Sequence, residues 1–251
     1  MYRRAVLAAA ATALALLGLP TTGTAETVSS PKHYVALGDS YASGPGIPEQ
    51  RTDPRLGPNP PQFDALRRHT DLVTITIGGN DIDIGALWLT CARLGPTDPS
   101  GDPCKRQATA GGTDLCAQRI AGAAPKVARV LAGVRARSPH ATVLLVGYLR
   151  ILPPTTGCYP AFPIARGDVP YVDGVERQLT AMLADQANNH GAVFVDSYAG
   201  SLGHDACQQP GVKWVEGPAP TSAAAPDHPN VIGMREVAGF ALDPLRDRNG
   251  G

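Results

Sequence analysis

The stretch "YVALGDSYASG", Tyr34–Gly44, joins a short apolar run to a glycine turn with a serine directly behind it. Its first five residues are too few for a stable helix and read as a strand. Three further runs share that character: "LVTITI" (Leu72–Ile77), "TVLLVGY" (Thr142–Tyr148) and "AVFVD" (Ala192–Asp196). All are rich in β-branched residues and mostly apolar on both faces, as strands are when helices cover both sides of a parallel sheet. Between them, Asp114–Arg137 carries Leu115, Ile120, Val127, Leu131 and Val134 at roughly helical spacing, with a kink expected at Pro125. Val172–His190 carries Val172, Val175, Leu179, Met182 and Leu183 and stops at Gly191, a residue suited to the position after a helix end. A last helix is expected at about Gly233–Leu242. This order predicts an α/β three-layer sandwich with a mainly parallel sheet.

Three segments interrupt the pattern. Six prolines fall within the seventeen residues Pro45–Pro61, which predicts loop or extended chain. Gly95–Gly112, around Cys104, and Pro210–Pro229 read as two further loops. The 251 residues carry 22 basic and 22 acidic side chains, so no basic excess points to nucleic acid or an anionic surface. At the start, Arg3 and Arg4 precede the uncharged run Ala5–Leu19, and Gly23 and Ala25 supply a small-x-small cleavage pattern. Residues 1–25 therefore read as a secretory signal peptide, with the paired arginines admitting twin-arginine export, and 26–251 as a single domain. No later stretch is apolar enough to span a bilayer, so release from the cell is expected.

Export makes the five cysteines readable as disulfides, with one left unpaired or bonded between chains. A Cys158–Cys207 bond would close a long loop and a Cys91–Cys104 bond a short one, each worth roughly 3–4 kcal/mol in a chain-entropy account. No C-x-x-C or H-x-x-x-H spacing suggests a metal.

Loops at the carboxyl ends of the strands are where such sheets do chemistry. Ser40 follows Gly38 and Asp39 off the first strand, although "GDSYA" has Ala42 where a G-x-S-x-G elbow has its last glycine. The tetrapeptide recurs in "VDSYAGS" at Val195–Ser201, which makes Ser197 a second candidate. In "TIGGND", Gly78 and Gly79 permit a tight turn and Asn80 offers an amide donor; Asp81 and Asp83 read as helix-start acids. His228 lies in "PDHPN", where prolines on both sides restrict the backbone and hold an imidazole in place. His204 in "LGHDAC" is its rival.

"YVALGDSYASGPG", "TIGGND" and the late "HPN" followed by "GM" occur in one order that resembles the secreted GDSL-type SGNH hydrolases of actinobacteria, which include lipases and esterases. The resemblance runs from His33 through most of the chain and implies their flavodoxin-like sandwich. It also implies Ser40 as nucleophile, Asn80 and the Ser40 N–H as oxyanion donors, and His228 as base, with Ser197 a turn residue. It implies the pairs Cys91–Cys104 and Cys158–Cys207, leaving Cys116 over. Two departures stand out. The block between nucleophile and "GGND", which supplies a glycine N–H and accompanies a strand–helix unit, has no counterpart. The position three before His228, often Asp in the family, is Ala225, so a Ser–His dyad is expected with the Ala225 carbonyl orienting the ring. Asp227 is adjacent to the histidine and badly placed to do so. The expected function is a secreted esterase or lipase acting through an acyl-enzyme on small-molecule or lipid esters, monomeric and without cofactor. The absent block admits a second reading, a secreted binding protein with impaired or no catalysis.

Overall fold

Among the described residues, four parallel strands form the centre: β1 (Tyr34–Gly38), β2 (Leu72–Thr76), β3 (Thr142–Val146) and β4 (Val193–Val195), side by side in chain order. The computed structural model describes residues 32–48 and 60–247. The expected signal peptide and the middle of the first proline-rich loop lie outside the described residues. The helices are α1 (Ser40–Ser43), α2 (Ile84–Leu94), α3 (Pro103–Thr109), α4 (Leu115–Arg137), α5 (Val169–Asn189), α6 (Ser197–Gly200) and α7 (Val231–Asp247).

Side chains alternate across the sheet, and each set has its own cover. Val73, Ile75, Val143 and Leu145 belong to the larger core with Val127, Leu131 and Val134 of α4 and Val172, Leu179 and Leu183 of α5. Leu72, Leu144, Val146 and Val195 face the other way, onto Val237, Phe240 and Ala241 of α7. The molecule is thus the expected α/β/α sandwich, built on a fully parallel sheet.

The helices differ in detail from their sequence patterns. Asp114 caps α4, its Oδ1 accepting from the N–H groups of Cys116 and Ala117. α5 begins earlier than its apolar pattern, with Pro170 in a first turn that needs no proline N–H. α7 extends beyond the expected span in both directions. Gly95–Gly112 is not all loop: α3 forms inside it with Pro103 as its first residue, and its Cys104 bonds to Cys91 of α2. Cys158 bonds to Cys207, and Cys116 is free and buried.

β1 departs most from expectation. It is one of the two edge strands of the described sheet, and Tyr34 is 54% exposed rather than buried. At its end one side chain takes the place of a neighbouring strand. Gly38 N–H donates to Gln62 Oε1 at 2.8 Å, and Gln62 Nε2 donates to the Gly38 carbonyl at 2.7 Å.

Candidate active site

Gly38 has φ +148°, and a Cβ there would sit 2.8 Å from the Thr76 carbonyl oxygen. Only glycine lets the chain turn this tightly against β2. The turn delivers Asp39 as the cap of α1, its Oδ1 accepting from Tyr41 N–H at 3.0 Å, and Ser40 as the first helical residue. After β2, Gly78 and Gly79 open a short 3-10 turn that begins at Asn80.

Tyr148, just past β3, ties these two turns together. Its hydroxyl accepts from Gly79 N–H at 2.8 Å and donates to Asp39 Oδ2 at 2.5 Å. A Cβ on Gly79 would lie 2.9 Å from the Tyr148 ring. Burial pushes the Asp39 carboxyl above its usual range, against the hydrogen bonds from Tyr148 and Tyr41. Burial and the facing Asp39 raise the Tyr148 phenol well above its ordinary value, so it stays a neutral donor.

His228 arrives from the far end of the chain. Its Nε2 lies 2.8 Å from Ser40 Oγ, and its Nδ1 lies 2.7 Å from the Pro226 carbonyl oxygen. A carbonyl can only accept, so Nδ1 carries the proton and Nε2 is left to accept from the serine hydroxyl. The expected partner, the Ala225 carbonyl, instead accepts from the His228 backbone N–H at 3.3 Å. The reason is Asp227, whose φ of +59° folds the chain back so that the nearer carbonyl meets the ring. The Asp227 carboxylate makes no bond to the imidazole, and its Oδ1 has no partner.

The loop bearing His228 rests on Glu216. This carboxylate is fully buried and receives Lys213 Nζ at 2.7 Å, Asn230 Nδ2 at 2.9 Å, Thr221 N–H at 2.8 Å and the Ser222 hydroxyl. Burial pushes it up, but these donors outweigh that and hold it at about 2. Its own N–H donates to the His228 carbonyl at 3.0 Å.

Ser40, Asn80 and His228 share a cavity of about 270 Å³ whose wall is mainly apolar, with Trp88, Leu149 and Leu179 among its residues. No hydrogen bond within the described residues occupies the Ser40 N–H or the Asn80 amide. Ser197 is buried at the start of α6, with its hydroxyl unpartnered. His204 stacks on Trp214 at 3.9 Å between centroids, with its Nδ1 on the Val212 carbonyl. Neither lines the cavity. Tyr148, Glu216 and the cavity residue Glu176 escaped the sequence reading. Glu176 had a signal: it falls on the apolar stripe of α5, four residues after Val172 and three before Leu179.

A family profile described as GDSL-like Lipase/Acylhydrolase family matches residues 46–236. Lipase 2 of Streptomyces coelicolor is 35% identical over 84% of this chain and 85% of its own. A lipase of Streptomyces rimosus is 27% identical over 82% of this chain and 87% of its own. Among solved structures, phospholipase A1 from Streptomyces albidoflavus NA297 superposes with a TM-score of 0.61 at 22% identity, covering 88% of this chain and all of that one. The extracellular lipase from Streptomyces rimosus gives 0.59 at 23% identity over 86% and 99%. These superpositions establish the shared fold, and the sequence matches establish kinship: the chain belongs to the GDSL-like lipase/acylhydrolase family, whose members are carboxylic-ester hydrolases.

Proposed function

We propose that this hydrolase works through a Ser40–His228 dyad. Ser40 Oγ attacks the ester carbonyl carbon while His228 Nε2 takes its proton, and the oxygen of the tetrahedral intermediate is met by the Ser40 N–H and the Asn80 amide. Collapse breaks the bond to the alcohol, which receives the proton from His228. Water then attacks the acyl-enzyme and loses a proton to His228; collapse of this second intermediate breaks the bond to Ser40 Oγ, which takes that proton back, and releases the carboxylic acid. The Pro226 carbonyl holds the ring and stabilises the imidazolium, as a carboxylate does in a triad. One observation carries this reading: a hydroxyl and an imidazole 188 residues apart meet at 2.8 Å on the wall of a mainly apolar cavity.

Ser40→Ala and His228→Ala are each expected to lose at least a thousandfold in kcat on short p-nitrophenyl esters. A fluorophosphonate probe is expected to label the wild type and leave Ser40→Ala unlabelled. Undiminished turnover in Ser40→Ala would overturn the assignment. The natural substrates are read as lipid or small-molecule esters, in keeping with the apolar wall. Among the described residues no helix is long and apolar enough to cross a membrane. Export rests on the basic head, apolar run and small-residue pattern of residues 1–25. Mass spectrometry of protein recovered from the medium should give Glu26 as the first residue; an intact Met1 would contradict it.

A further inference from the structure

Among the residues that line the cavity, Glu176, Trp88 and Asp227 each hold a buried polar atom without a hydrogen-bond partner, and the first two lie outside the loop that carries His228. Glu176 of α5 is 7% exposed and lines the same cavity as Ser40. Its Oε1 accepts one long bond, from Ile151 N–H at 3.4 Å, and its Oε2 has no partner. Trp88 of α2 is 4% exposed, also lines the cavity, and its indole Nε1 has no partner either. The two are not bonded to each other. A buried polar group without a partner is costly, so the pair outside the histidine loop calls for an explanation.

The neighbouring cation does not supply one. Arg150 gives Nη1 to Asp173 Oδ1 and to the Tyr198 hydroxyl at 2.7 Å, and Asp173 also takes Arg177 Nε at 2.9 Å. The arginine is thus committed to Asp173. The Ile151 N–H and the charge of Arg150 still favour ionisation of Glu176, and the negative charges of Asp173 and Asp205 disfavour it. Burial is the largest influence, and it pushes the carboxyl up to about 8. Near neutral pH Glu176 is therefore mainly a carboxylic acid, a hydrogen-bond donor like the indole of Trp88. An apolar acyl chain gives neither donor anything to bind.

We propose that Glu176 and Trp88 form a polar subsite in the acyl pocket, which selects esters whose acyl group carries an acceptor oxygen, keto or ether, a few bonds beyond the scissile carbonyl. This deepens the esterase assignment and rests on it. A site built to hydrogen-bond a substrate oxygen discriminates against the analogue lacking it, because its own groups are then left unpaired.

The test is the ratio of kcat/KM for p-nitrophenyl 4-oxopentanoate to that for p-nitrophenyl pentanoate, which are close in size. It is read in wild type, Glu176→Gln, Glu176→Leu and Trp88→Phe. Taking ratios between variants cancels the intrinsic reactivity of the two esters. Glu176→Leu is expected to lower the ratio about tenfold, the loss of one hydrogen bond in a buried site. Trp88→Phe should lower it severalfold, and Glu176→Gln, which keeps a donor, should stay within about threefold of wild type. Equal ratios in wild type, Trp88→Phe and whichever Glu176 variants melt cooperatively would overturn the subsite. If neither ester turns over, or turnover survives Ser40→Ala, the esterase mechanism itself falls, a result distinct from equal ratios.

Discussion

Tyr148 spans the Ser40 turn and the Asn80 turn with a single hydroxyl, bonded to Asp39 on one side and Gly79 on the other. Tyr148→Phe keeps the ring and removes both bonds, so the turns lose their common anchor while the apolar wall is retained. A fall of roughly tenfold in kcat with little change in KM is expected, since displacing a reacting group by a fraction of an ångström acts on the chemical step. A change in KM alone would assign Tyr148 to substrate binding instead. Asn80→Ala tests the proposed oxyanion donor directly and is expected to cost on the order of 10²–10³ in kcat. At this scale the sequence was readable in which side chains it brings together. Ser40 behind a strand, Asn80 behind paired glycines and His228 between prolines all meet in one cavity. It was unreadable where the backbone makes the contact: choosing Pro226 over Ala225 depends on the φ of Asp227, and residue type does not announce a positive φ at aspartate.

The strands were legible because β-branched runs bounded by polar residues have few other uses, and all four lie within one or two residues of their expected ends. α3 was hidden because Pro103 reads as a breaker in a glycine-rich segment, although at a first helical position it starts the turn. β1 was misjudged in burial for a different reason. Alternation reports what a strand's faces prefer and says nothing about whether a neighbour is present at its edge. Gln62 partly substitutes for one, and its contribution can be measured. Gln62→Ala removes two hydrogen bonds at an exposed edge, an expected loss of about 1–2 kcal/mol, seen as a fall in Tm of roughly 3–6 °C. An unchanged Tm would mean that water satisfies Gly38 equally well.

Across the whole molecule, two buried carboxyls bend stability with pH in opposite senses. Glu216 sits at about 2 in the folded protein, below its usual 4.5, so its stabilisation is complete above 4.5 and drains away as pH falls toward 2. Glu176 sits at about 8, above its usual 4.5, so the folded state keeps a proton that the unfolded chain releases. Its contribution is intact below 4.5 and is lost as pH rises through 8. Compared with wild type, Glu176→Gln should flatten the decline in Tm between about pH 5 and 8, and Glu216→Gln should lower Tm most above about pH 4.5. Curves parallel to wild type would refute both. The support beneath His228 carries one more implication. Every amino acid that could stand at position 226 brings the same carbonyl, so replacing side chains one at a time across the protein would reveal the proposed nucleophile and base yet never the carbonyl on which the ring rests. Only a change to the path of the main chain, or an ester in place of that amide, would expose it.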